Sequence, residues 1–344
     1  MKKLSASFIS VLLIANFFTA TAQKQQGNPY MSRTFPTSSI KSLEATTFGG
    51  SITLNGNATA QAIVEVFVNS SNKLSDEQLK QILEKNYTIE IKVENEKLYA
   101  IGKQKGKITD KKALGISISF KISVSKEADS RLRTSGGSIE INDISGSQDF
   151  ATSGGSLFVE NVSGNIVGRT SGGSITVTNS KDNIDLQTSG GSITATDCDG
   201  KIDITTSGGS IYMNNLNGKI NAATSGGNVA ADNINGVIKT GTSGGNINLY
   251  NISGSLDAKT SGGNIDVTMK LVSDYVKLSN SGNIALTIPT DKGYNLKVKA
   301  NKIKTSGLSN FSGEIDDKNI NGKIGNGGVK IEITTSSQAK LTFK

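Results

Sequence analysis

Few side chains in this sequence could do chemistry. Asp197, Asp199 and Asp203 flank Cys198 within seven residues, a grouping that elsewhere supplies paired carboxylates for proton transfer or oxygen ligands for a divalent cation. Nothing accompanies it. Histidine and tryptophan are absent, and arginine occurs only at positions 33, 131, 133 and 169. On alternating strands the aspartate spacing fits a polar turn and a solvated face better than a carboxylate pair. A second candidate is the series Asp143, Asn161, Asn179, Asp197, Asn215, Asn233 and Asn251, one residue every 18. A calcium ladder needs a carboxylate at each turn, and five of these seven are uncharged asparagine. Asx side chains beside a turn instead bond to neighbouring groups and tolerate the left-handed conformation. No catalytic, cofactor-binding or metal-ligating residue is assigned.

The elements that position these residues come from one repeat. Thr-Ser-Gly-Gly begins at Thr134, Thr152, Thr170, Thr188, Thr206, Thr224, Thr242 and Thr260, each 18 residues after the last. With Thr as position 1, position 6 is always Ile, Leu or Val, and position 8 is apolar from Ile141 to Val267. Positions 7 and 9 are mostly polar. This period of two predicts a strand with one buried face. A second strand is centred on position 15, as at Ile166, Ile184, Ile202 and Ile220. The unit therefore reads as two half-repeats, each a turn followed by a short strand. Copies of equal period stack in register, so each position becomes a column, with columns 6, 8, 11, 15 and 17 lining the interior. Cys198 falls in column 11 among Ile144, Val162, Leu216 and Ile234, which predicts a buried thiol. Continuing the parity carries the threonines of position 1 inward, as a hydroxyl ladder at the edge of the core. An outward face ordering ice-like water is the discarded alternative. The expected fold is all-β, a parallel β-solenoid (β-helix) of 18-residue rungs with one short N-terminal helix.

The flanks frame the array. Residues 1–22 have the form of a signal peptide: Lys2 and Lys3, an apolar stretch from Phe8 to Ala20, and a cleavage site at Ala20-Thr21-Ala22. No later segment is long and apolar enough to span a bilayer, so the mature chain is expected to carry no transmembrane segment. Residues 23–130 form an opening region. There Thr47-Phe48-Gly49-Gly50-Ser51-Ile52 repeats the motif, and a helix from about Ser75 to Lys85 carries a capping box through Gln78 and covers an end or flank of the solenoid. Residues 131–268 are the eight regular rungs. Residues 269–344 are less regular rungs, with degenerate motifs at 280–284 and 325–331, closing at Ala339 to Phe343. Lys297, Lys299, Lys302 and Lys304 alternate as on one solvated strand face, a candidate patch for acidic glycans or lipid head groups. The formal net charge is +8, yet residues 131–268 hold eight basic and 12 acidic residues. The largest regular face is thus slightly acidic, which excludes nucleic acid as a partner.

The Thr-Ser-Gly-Gly-(Ser/Asn)-Ile-x-Val units, the helix-bearing opening region and the Gly-Gly-Val-Lys-Ile-Glu-Ile ending resemble the bacterial putative-adhesin β-strand-repeat family, and more distantly the "head GIN" adhesin domains. The resemblance runs from about Ile40 onward. It implies an exported, single-chain, right-handed β-solenoid, and it carries no catalytic or binding residues to transfer. The expected function is that of a non-enzymatic adhesin or envelope-binding protein, in the periplasm, on the outer-membrane surface or outside the cell. Its partner would be a protein or glycan that the sequence does not name, and oligomeric state is left open. The alternative is a structural spacer or periplasmic accessory protein. Phe158, Tyr212 and Tyr250 are the outward aromatics of the array, and Phe158 and Tyr212 share column 7 three rungs apart, roughly 14 Å at the strand spacing, too sparse for the contiguous rings of a carbohydrate platform.

Overall fold

β-Branched residues alternating with small polar ones favour strands that are buried on one face. The computed structural model, which describes residues 27–109 and 111–344, is built almost entirely of them. The expected signal peptide lies outside the described residues. Through the array, parallel pairing joins Ile193 to Ile211, Ile211 to Val229 and Val229 to Ile247. Ile184, Ile202, Ile220, Ile238 and Leu256 stack in the same way. The strands of positions 6–9 make one wall, and those around positions 15–17 make a second. Columns 6, 8, 11, 15 and 17 are buried at every regular rung from Ile139 to Ala258.

One expectation is corrected. The unit is not two turn-plus-strand halves, because only positions 2–5 form a turn. From Ile193 on, each rung is a single strand of 14 residues, such as Ile193–Thr206 and Ile211–Thr224. The corner between the walls is made by one left-handed residue, the Asx of position 10, with φ of 50–57° from Asp143 to Asn251. A short polar side chain tolerates that conformation, so the strand bends without leaving the ladder.

The threonines of position 1 are buried, as the parity predicts. Their hydroxyls bond to backbone, not to one another. Thr206 Oγ1 donates to Gly191 O at 2.7 Å and accepts from Gly209 N at 3.3 Å. The same pair of bonds recurs at Thr152, Thr170, Thr188, Thr224, Thr242 and Thr260. Thr206→Val keeps the shape and strands a part-buried carbonyl and a part-buried N–H, so a loss of about 1–3 kcal/mol is expected in denaturant unfolding. Thr206→Ser should recover most of it.

The ends depart from simple stacking. At the N-terminal end the elements are β1 (Met31–Pro36), β2 (Ser42–Thr47), β3 (Ile52–Asn55), β4 (Gln61–Ser70), α1 (Asp76–Asn86), β5 (Tyr87–Glu94), β6 (Lys97–Gln104), α2 (Lys111–Leu114) and β7 (Ile116–Ser123). The motif copy at Thr47 docks directly beneath the first regular rung. Ile52 pairs with Ile139, and Thr134 Oγ1 donates to Gly50 O at 2.7 Å. The described residues from Gly56 to Ala128 form an excursion that stacks outside this rung. β6 pairs in parallel with β2, and β7 with β3. β5 then adds to β6, β4 to β7 and β1 to β4, all antiparallel. The helix forms as predicted: the Ser75 side chain and the Gln78 side chain each take the other residue's backbone N–H. It carries the chain from the first wall to the second, with Leu83 buried in the core and Leu79 and Ile82 packed against it. The four-residue α2 and a 3-10 turn at Thr37–Ser39 were not expected, so the described region has two α-helices and a 3-10 helix where the sequence suggested one helix.

At the other end the period slips after Thr268, as predicted, and Ile265 pairs with Ile284, a step of 19. The later strands do not follow in chain order, which corrects the reading of successive rungs closing at Phe343. Gln338–Phe343 lies between Ile284–Ile288 and Lys302–Ser306, parallel to both. On the second wall, Val329–Thr335 lies between Ile265–Asn280 and Tyr294–Lys299. The hairpin Phe311–Ile315/Asn319–Ile324 adds outside the latter. The segment Gly325 to Ile331 is therefore a turn and a second-wall strand, not a degenerate motif. The motif's true equivalent is Thr335, whose Oγ1 donates to Gly282 O as each repeat threonine does one rung below. The lysine reading is corrected too. Lys297 and Lys299 lie on a second-wall strand, Lys302 and Lys304 on a first-wall edge strand. They are not one strand face. Charge on that edge strand, like Pro36 on β1, discourages another sheet from pairing there.

Candidate binding face

The residues singled out for chemistry are held in ladders. Among the described residues no group of three His, Cys, Asp or Glu converges as metal ligands do. Asp197 sits at the left-handed corner and accepts from Asn215 Nδ2. Asp203, on the second wall, accepts from Asn221 Nδ2 at 2.7 Å and faces Lys201 at 3.7 Å. The corner column runs as an amide ladder, Asn161 to Asp143 at 2.9 Å and Asn233 to Asn215 at 3.0 Å. Asp197 has no donor to offer Asn179, so the ladder restarts there. Cys198 is buried, its Sγ 3.2 Å from Thr196 O, and burial pushes its thiol up to about 11. A maleimide or disulfide reagent at pH 8 should leave the folded thiol unmodified and label it once in denaturant. The unfolded thiol titrates lower, so stability relative to Cys198→Ala should hold below about pH 9 and fall as pH rises to about 11.

The outer face of the first wall is different in kind. It presents positions 5, 7 and 9, and it carries all three outward aromatics of the array: Phe158, Tyr212 (49% exposed) and Tyr250 (42% exposed). Register places Phe158, Thr176, Thr194 and Tyr212 in one row across four strands. Position 5 forms a second row, in which each serine Oγ accepts the backbone N–H of the next rung. Ser51 N donates to Ser119, Ser138 N to Ser51, Ser156 N to Ser138 and Ser174 N to Ser156, at 3.0–3.3 Å. Each of these serine oxygens thus spends a lone pair on a backbone N–H, and among the described residues no acceptor takes the O–H of Ser51, Ser119, Ser138 or Ser156. This row of unspent donors follows the rod axis at the strand spacing of about 4.8 Å.

Where the excursion joins the array, this face is concave. A groove of 960 Å³ runs over β7, β3 and the first regular rung, between Phe67 on β4 and Phe158. Lys121 and Glu140 also line it. Lys121 is 3.7 Å from Glu65. Glu140 accepts from Asn142 Nδ2 at 3.1 Å. Sequence reasoning found Phe158 and missed Phe67, Ser119 and Lys121. They belong to strands outside the repeat, and only the register of β4 and β7 brings them beside it.

Residues 237–338 match the family described as Toastrack DUF4097. No curated protein matches the chain. Among solved structures, a putative cell adhesion protein from Clostridium sporogenes ATCC 15579 is 10% identical, over 91% of this chain and 99% of that one. Its TM-score is 0.20, and at that value the likeness carries no argument. The Toastrack match begins at Val237, within the sixth rung, and runs through the interleaved C-terminal strands to Gln338. It is consistent with the adhesin-type repeat resemblance and lies outside the groove, which is built by the N-terminal excursion.

Proposed function

We propose that this chain is an exported, non-enzymatic β-solenoid that presents its first wall as a binding face at the cell surface or in the envelope. The observation that carries the reading is the array itself. Eight units stack from Thr134 to Thr268 without an interrupting loop, and their outward aromatics share one wall. A rigid repeat surface of that kind suits adhesion, the role the sequence resemblance implies and the Toastrack match is compatible with. Catalysis finds little support, since Asp143, Asp197 and Asp203 accept from asparagine amides, Asp149 and Asp185 pair with arginines, and the sequence holds no histidine. We read the coil as right-handed, the hand that parallel crossovers overwhelmingly adopt, and the described chain as an opening region to 130, an array over 131–268 and a cap over 269–344.

The test is accessibility on intact cells. Surface labelling or protease shaving, with lysed cells as control, should reach the protein before lysis. Protection until lysis would exclude adhesion to anything outside the cell and direct the search to periplasmic partners. The interleaved ends favour a second reading, a spacer whose length is its function. Excision of Thr188–Ala223 removes two whole rungs and joins Gln187 to Thr224 in register. The shortened rod should fold and keep any activity of the groove, whereas a spacer would lose its function with its length.

A further inference from the structure

The geometry points to the groove between Phe67 and Phe158 as a binding site for a linear glycan lying along the rod axis, which deepens the binding-face reading and rests on it. Three observations select that ligand class. The first is the floor. The backbone groups of β7, β3 and Ile139–Asn142 are consumed in parallel ladders, so a peptide cannot add a strand here. What remains is hydroxyl donors. Ser119 is only 4% exposed, takes the Ser51 amide, and among the described residues has no acceptor for its own proton. Ser51 and Ser138 continue the row. A ligand that brings acceptors at a regular repeat, as the hydroxyl and ring oxygens of a sugar chain do, matches this row of donors.

The second observation is the walls. Phe67 and Phe158 are both part-exposed and line the groove from opposite ends. Their strands are four pairings apart, roughly 19 Å at about 4.8 Å per strand. Phenyl faces suit the C–H faces of pyranose rings, and two rings at that separation engage a short chain and not a monosaccharide. The third is charge. Lys121 is paired with Glu65, and Glu140 on the other side of β3 leaves the balance negative, so the groove offers no positive field to a polyanion or a phosphate. Glu140 supplies the one strong acceptor for a sugar hydroxyl.

The test is calorimetric titration of the secreted chain with β-1,4-linked oligomers of glucose and of N-acetylglucosamine, from dimer to hexamer. Saturable binding that strengthens with length is expected for one series. Phe158→Ala and Phe67→Ala should each weaken it about tenfold or more. Tyr212→Ala, three rungs beyond Phe158, should leave the tetramer unaffected. Circular dichroism melts of each variant separate lost binding from lost fold, and Phe158→Leu gives a second, apolar replacement without the ring. Absence of saturable binding by both series, or binding that both phenylalanine variants retain, overturns the assignment. Accessibility on intact cells is a separate readout. If the protein is exposed there while no glycan binds, the glycan fails and the binding-face reading stands.

Discussion

Gly209→Ala should destabilise this protein by more than about 4 kcal/mol, and its neighbour Gly208→Ala by less than about 1. Both positions are glycine in all eight motifs, so sequence alone does not separate them. The stack does. A Cβ at Gly209 would lie 2.1 Å from Gly191 O and 2.4 Å from its carbonyl carbon, while at Gly208 the nearest atom is Gly190 O at 3.4 Å. Neither backbone near Gly209 can yield. Gly191 O is held by Thr206, and Gly209 N donates to the same hydroxyl. The rungs would have to separate by more than an ångström, breaking the ladder on both walls. Alanine at position 3 meets only ordinary contact, and removing glycine's extra unfolded-state freedom offsets part of its cost. Equilibrium unfolding of the two variants measures the difference directly. Equal, small effects would mean that rungs are free to shift along the axis.

Position 13 obeys a different rule. There the glycines have φ from +104° to +144° and approach the rung below as closely as Gly254 does to Gly236 O, 1.8 Å for a built Cβ. The exception within the regular rungs is Asp182, at φ 83°, whose carboxylate accepts Gly164 N at 3.0 Å. A local hydrogen bond thus offsets a conformation that aspartate adopts at a cost.

The repeat made the regular fold legible because one column assignment settles eight residues at once. Period, inward columns, the left-handed Asx corner, the buried Cys198 and the capped helix all follow from spacing and side-chain chemistry. The unread parts lie where chain order and stacking order part company. A period-two pattern says that Val329, Ile331 and Ile333 face a core, but it does not say which strands lie beside them. That choice is made by residues far away in sequence, such as Val276 and Leu296. The candidate groove was hidden for the same reason. Phe158 is visible as an outward aromatic, whereas Phe67 and Ser119 acquire meaning only once β4 and β7 stack beneath the array. The equivalence of Thr335 to the repeat threonines was obscured because Ser337 alone stands where the motif has two glycines, leaving the segment one residue short.

The interleaved cap makes the second large prediction. In a solenoid laid down in chain order, deleting the last strand shortens the rod by one edge and exposes one new edge. Here, ending the chain at Ser336 removes Gln338–Phe343 from between Ile284–Ile288 and Lys302–Ser306. Ala339, Leu341 and Phe343 are buried, and their loss opens a gap inside the stack. Lys302–Ser306 then has no sheet to join, because the described structure pairs it with this strand alone. Tyr294 also loses its setting, since the chain from Pro289, whose carbonyl its hydroxyl bonds at 2.8 Å, is tied to Lys344 through Thr290. The expected result is cooperative loss of protection across roughly residues 289–335 in hydrogen exchange, with the array up to Thr260 still protected. Early proteolysis should fall in the same segment. Protection loss confined to Lys302–Ser306 would instead show that the second wall holds the cap unaided.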